Sequence, residues 1–210
     1  MYKKQLLISI GILVIFFSVG TLSIGLKLKP EIVNLSWLNL LLTGVLIFIH
    51  RPERSPSFLY YSLMVFAVGL LVEIIGVSSG FPFGSYHYGN ALGTKLLGVP
   101  LILGLNWWIL AYSSIHISML ISKKKAIRVL LAPALMLGMD MLIEPLCSKL
   151  DFWYWQDPEI PIQNYWSWYF IGLGLIAIYL STFKTSKINP LAVTAFIVQL
   201  VFFSTLNLLL

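Results

Sequence analysis

Three acidic residues stand inside apolar runs of this chain, where a membrane-spanning sequence would normally avoid them: Glu73, Asp140 and Glu144. An ionisable group at mid-helix in a bilayer costs a few kcal/mol even on lenient insertion scales, so it usually faces a protein interior and marks function. Asp140 and Glu144 are four residues apart and share one helix face. A carboxyl shut away from water tends to keep its proton, and two carboxyls in one site cannot both ionise cheaply. The chemistry on offer is proton donation inside an apolar cavity. The plainer reading is that the acids pair with helix ends, or with Asn106 and His116, and only hold a bundle together.

Aromatic residues crowd two loops near these acids. Phe81, Phe83, Tyr86 and Tyr88 fall in one, and Trp153, Tyr154, Trp155, Trp166 and Trp168 in or near the other, while Trp107 and Trp108 open a helix between them. Aromatic faces stabilise a cation by roughly 0.5–2 kcal/mol each. Trp and Tyr at helix ends also form the ordinary interfacial belt of membrane proteins, and belt duty accounts for part of the set. Gly69, Glu73 and Gly76 lie on one face of a helix, which predicts tight packing beside the acid.

The elements that must position these groups are membrane helices. Of 210 residues, 59% are hydrophobic and 10% charged, and mean hydropathy is +0.89. Soluble domains carry about 25% charged residues. A bilayer core of about 30 Å takes roughly 20 apolar residues per helix. Seven segments qualify, at about 5–25, 31–49, 57–77, 98–121, 126–147, 165–183 and 190–209. The expectation is an all-α polytopic membrane helix bundle of about seven transmembrane helices, with residues 1–210 as a single integral membrane domain. The first apolar run, Gln5 to Leu26, reads as a span rather than a cleaved signal, because it lacks a small-residue cleavage site.

Lys and Arg counts orient it. The N-terminal, second, fourth and sixth loops hold ten, and the first, third and fifth hold four (Lys27, Lys29, Lys95 and Lys149). That bias predicts a cytoplasmic N-terminus. The two aromatic loops, 78–97 and 148–164, then open on the external face, and all three acids lie near the external ends of their helices.

Other chemistries fit poorly. Cys147 is the only cysteine and His50, His87 and His116 the only histidines, without ligand-like spacing, so no metal is expected. The net charge of +6 sits in short clusters between apolar runs and serves topology, so no nucleic-acid partner is expected. The last span has no Lys for a retinal Schiff base, and no phosphate loop or nucleophile elbow appears; no cofactor is expected.

The stretch "EIIGVSSGFPFGSYHYGNALGTKLLGVPL", from Glu73 on, resembles the signature of the membrane carotenoid 1,2-hydratase family. There a Glu-x-x-Gly precedes a Gly-x-Pro-Phe-Gly-x-Tyr-x-Tyr loop and a Leu-Gly-Val-Pro. "DMLIEPL" is similar to the family's Asp-x-x-x-Asp-Pro, and "FWYW…IPIQNYWSW" to its Trp-x-Trp and Pro-x-x-Asn-aromatic-x-Gly-Trp. The resemblance runs over roughly 73–168. Glu144 stands where the family has Asp, and Ser167 where it has Gly.

The resemblance implies addition of water across the terminal C1–C2 double bond of an acyclic carotenoid such as lycopene, without a cofactor. Protonation at C2 makes a tertiary cation at C1, which water captures. Asp140 or Glu144 is then the proton donor, the other its partner or the water-orienting base, and Glu73 a third member of the site. Asn164 is expected to hold water or a carboxyl, and Phe83, Tyr86, Tyr88, Trp166 and Trp168 to line the substrate site. The partners implied are a long polyene and membrane lipid, with a homo-oligomer left open, in the inner membrane of a prokaryote. Two rivals stand beside this: a lycopene cyclase-like enzyme that shares the protonation, and a proton-coupled small transporter or lipid-binding membrane protein.

Overall fold

The computed structural model describes residues 2–184 and 187–210, and among them seven α-helices make up most of the chain. They are α1 (Tyr2–Gly25), α2 (Ser36–Ile49), α3 (Pro56–Ser79), α4 (Ile102–Ile121), α5 (Lys125–Ile143), α6 (Ile162–Thr182) and α7 (Pro190–Leu209). Short 3-10 turns, Pro30–Leu35 and Glu144–Leu146, precede α2 and follow α5. Prolines open α3 and α7, where the missing N–H would have had no helical partner. Gly80 closes α3 in the left-handed conformation, its N–H bonded to the Gly76 carbonyl.

Helix α4 is the axis of the bundle, packed against α2, α3, α5, α6 and α7. Residues Trp107 to His116 are buried without a break, so no side of the helix meets lipid over this stretch. That position explains its composition. Asn106, Ser113, Ser114, His116 and Ser118 are tolerated because their surroundings are protein. Among the described residues, five segments are long and apolar enough to cross a membrane: α1, the turn with α2, α3, α5 with its turn, and α7. Helices α4 and α6, of 20 and 21 residues, have the length but carry more polar residues. The outer faces of the bundle expose large apolar side chains such as Leu7, Phe16, Leu63, Leu130 and Val201, as a surface facing lipid requires.

The two aromatic loops contain strands, which the sequence reading did not anticipate. Strand β1 (Tyr86–Tyr88) pairs antiparallel with β4 (Trp153–Trp155), in the register Tyr86↔Trp155, His87↔Tyr154, Tyr88↔Trp153. Between them lies a two-residue pairing of β2 (Lys95–Leu96) with β3 (Val99–Pro100). Side chains on a strand alternate between faces. Tyr86 and Tyr88 therefore turn into the bundle with Trp155 and Trp153 opposite them, while His87 stacks on Tyr154 outside. The pair forms a cap over one end of the bundle.

The approach of α3 to α4 depends on Gly69. A Cβ there would lie 2.5 Å from Cγ and 2.6 Å from Cβ of Trp107, the rigid root of that side chain. Gly69→Ala should lower stability by about 1–3 kcal/mol, the usual effect of overpacking. Gly138→Ala is the control, since a Cβ there meets nothing within 4 Å. Thermal unfolding in detergent should show a midpoint several degrees lower for the first variant and little changed for the second.

Candidate active site

Beneath the cap, α3, α5, the 3-10 turn after it and α6 bring their polar residues to one cavity. Glu144 opens that turn, one residue past the end of the helix that carries Asp140. Glu73, Asp140, Glu144 and Asn164 all line the cavity, with exposures of 4%, 2%, 5% and 2%. The cavity has about 100 Å³ of room for water-sized molecules, several times the roughly 10–15 Å³ that one water needs. Its walls are mainly aromatic. Trp107 and Trp168 stack with centroids 4.2 Å apart and planes 6° from parallel, and Phe83 sits 6.4 Å from each ring.

Each carboxyl has its own set of donors. Tyr86 Oη and Tyr88 Oη donate to Glu73 Oε2 at 2.5 and 2.7 Å, and Trp107 Nε1 donates to Oε1 at 3.0 Å. Burial first, then the adjoining Glu73 carboxyl, hold both phenols well above the usual tyrosine range, so they remain protonated donors. Glu144 Oε2 accepts from Trp155 Nε1 at 2.9 Å and from Trp153 Nε1 at 3.3 Å. Asn164 Nδ2 bridges the remaining pair, donating to Glu144 Oε1 and to Asp140 Oδ2, each at 3.2 Å. Asp140 Oδ1 is the one carboxyl oxygen of the three acids with no hydrogen bond to the described residues. Such an arrangement can give up a proton at Asp140 while the other two carboxyls, held by fixed donors, face the charge that results.

Of the residues expected to line the site, Phe83, Tyr86, Tyr88, Asn164 and Trp168 are brought to the cavity. Trp166 is not. It is 59% exposed on the outer face of α6, stacked on Phe170 beside a shallow groove that also includes Phe81 and Pro82. Asn164 and Trp168 are four apart and point inward together; Trp166, two positions on from Asn164, lies about 200° round the helix. His116 also lies elsewhere, with Nδ1 accepting from the Asn189 backbone N–H, so it is no partner for the acids. Ser167 ties α6 to the first aromatic loop, its Oγ donating to the Pro82 carbonyl at 2.9 Å.

The indole donors to Glu73 and Glu144 belong to this site but were read from the sequence only as part of an aromatic inventory. The Trp-x-Trp spacing of Trp153 and Trp155, which puts both on one strand face, was the available signal. A fourth buried acid was also missed. Glu53, in the short "HRPERSP" segment, is buried and accepts from Tyr112 Oη at 2.7 Å and from Tyr179 Oη. These partners lie 59 and 126 residues away, and nothing local announces them. Glu53 lies outside the cavity lining, so its role is to join α4 and α6. Glu53→Leu strands two buried hydroxyls, at about 1–3 kcal/mol for each unpaired group. A chemical or thermal unfolding curve in detergent should show that loss, with Glu53→Gln, which keeps an acceptor, intermediate.

Residues 35–210 match the family described as carotenoid biosynthesis protein. Among curated proteins, the chain is similar to bisanhydrobacterioruberin hydratase of Haloarcula japonica, 27% identical over 135 residues. That match covers 60% of this chain and 45% of the relative, so the chain spans less than half the length of that protein. No solved structure matches the chain.

Proposed function

The chain belongs to the carotenoid biosynthesis protein family, and we propose that within it this chain is a hydratase, adding water to the terminal C1–C2 double bond of an acyclic carotenoid. The observation that carries this reading is the division of labour among the carboxyls. Glu73 and Glu144 accept hydrogen bonds on both oxygens, whereas Asp140 Oδ1 has none. The hydratase named among its relatives supports the reaction class.

In this scheme Asp140, in its neutral form, gives its proton to C2 as the alkene π pair forms the new C–H bond. The positive charge appears at C1, a tertiary centre. The faces of Trp107, Trp168 and Phe83 and the two clamped carboxyls stabilise it. Water adds through oxygen to C1, and the oxonium proton passes to Asp140, directly or by way of Glu144. The sum is one water added and the acid restored, with no electrons transferred. The apolar walls suit a polyene end group, and the room beside the acids suits the second reactant.

We read residues 1–210 as one integral membrane domain in the inner membrane of a prokaryote. With the N-terminus in the cytoplasm, the acids would lie toward the outer leaflet, where a long substrate can present one end near an interface.

The test is expression in a host that accumulates lycopene, followed by mass spectrometry of the pigments. The wild-type protein should yield product heavier by the mass of one water. Asp140→Asn should reduce that product by about 100-fold or more, the usual contribution of a general acid. Glu73→Gln and Glu144→Gln should also reduce it, and Trp166→Leu should stay within about twofold of wild type, a margin worth under roughly 0.5 kcal/mol. A product of unchanged mass would replace hydration by cyclisation. Full activity in all three acid variants would remove these residues from the chemistry.

A further inference from the structure

The cavity has a second polar end that the acid chemistry does not use. Among the described residues lining it, two buried side-chain atoms have no hydrogen-bond partner: Gln199 Nε2 on α7 and Asn39 Oδ1 on α2. Gln199 is 3% exposed. A polar group buried without a partner costs about 1–3 kcal/mol, so two on one cavity point to an occupant.

The register of the helices sets the two residues at one depth. Asn189, at the start of α7, donates from Nδ2 to the Ile47 carbonyl near the end of α2 at 2.9 Å. Counting from that bond, Asn39 lies eight residues back along α2, about 12 Å, and Gln199 ten residues on along α7, about 15 Å. Helix α7 is fixed to the acid end too, since Asn207 Nδ2 donates to the Leu142 carbonyl at 2.7 Å. Gln199 is eight residues before Asn207, about 12 Å deeper. Asn39, Gln199 and Asp140 line the same cavity, so a molecule that fills it from Asp140 to this level meets both ends.

The unmet demands are one acceptor and one donor. A carbonyl would satisfy only Gln199, and an ammonium only Asn39. A hydroxyl satisfies both, giving its proton to Asn39 Oδ1 and accepting from Gln199 Nε2. We infer that Asn39 and Gln199 form a second station of the cavity, which binds an O–H oxygen. That oxygen comes from one of two sources: a hydroxyl on the half of the carotenoid that enters the cavity, or a water held for the reaction. The inference rests on the hydratase reading for its kinetic test and on geometry alone for its binding test.

Purified protein and the variants Gln199→Met and Asn39→Leu would be assayed with lycopene and with a lycopene analogue hydroxylated on the entering half. Gln199→Leu, which also removes the donor, stands in if Gln199→Met does not fold. If the station holds a substrate hydroxyl, the ratio of kcat/KM for the analogue over that for lycopene falls about tenfold or more, the effect of roughly 1.4 kcal/mol. If it holds water, the ratio stays as in wild type and the share of product lacking added water rises about tenfold with both substrates. Folded variants matching wild type in both ratio and product share would overturn the proposal. If the wild-type protein hydrates neither compound, the hydratase reading fails, and binding decides the station separately. The analogue should then raise the thermal midpoint of wild type more than that of Gln199→Met, and equal shifts would overturn the station as well.

Discussion

A carboxyl group in the interior of a membrane bundle is tolerable only with hydrogen-bond donors around it, and this constraint governs the arrangement of the whole protein. A hydrogen bond to a charged group contributes about 1.5–3 kcal/mol, and a buried one left unmade costs comparably. Glu73 has three donors, from β1 and α4; Glu144 has three, from β4 and α6. The strand pairing across the top of the bundle, the close approach of α3 to α4 at Gly69 and the inward face of α6 all serve to deliver them. Among the described residues Asp140 receives only the Asn164 amide, so the three neighbouring carboxyls are unequally held.

Most of the donors are also the walls. An indole N–H lies in the plane of its ring, so a hydrogen bond made through it leaves both faces available. Trp107 bonds Glu73 through Nε1 while its face is stacked on Trp168. The same residue donates to a buried carboxyl and adds aromatic surface to the cavity wall, so no side chain is needed for each task separately.

The helices were legible in the sequence because the bilayer sets their length, and apolar runs of about twenty residues can be counted. The three acids were legible for the opposite reason, as exceptions to those runs. What could not be read was pairing at a distance. Tyr86 meets Trp155 through a strand register that no local pattern encodes, since the two are separated by α4 and α5. Glu53 looked like loop punctuation because its tyrosines lie on distant helices. Trp166 was misplaced by composition: it sits among residues that do face the cavity, and only the helical period separates it from Asn164 and Trp168. The seven helices fall close to the expected segments, yet α4 shows that burial inside protein, rather than contact with lipid, relaxes the demand for apolar residues.

Chain order has a bearing on biogenesis. Among the described residues, the tyrosine, tryptophan and asparagine side chains that bond Glu53, Glu73, Asp140 or Glu144 all lie downstream of the acid they bond, from nine residues later for Trp153 to 126 for Tyr179. Each acid is therefore synthesised before the side chains that bond it. The early helices cannot complete these contacts until α4 and then α6 arrive, so the acid-lined cavity is among the last parts of the molecule to close.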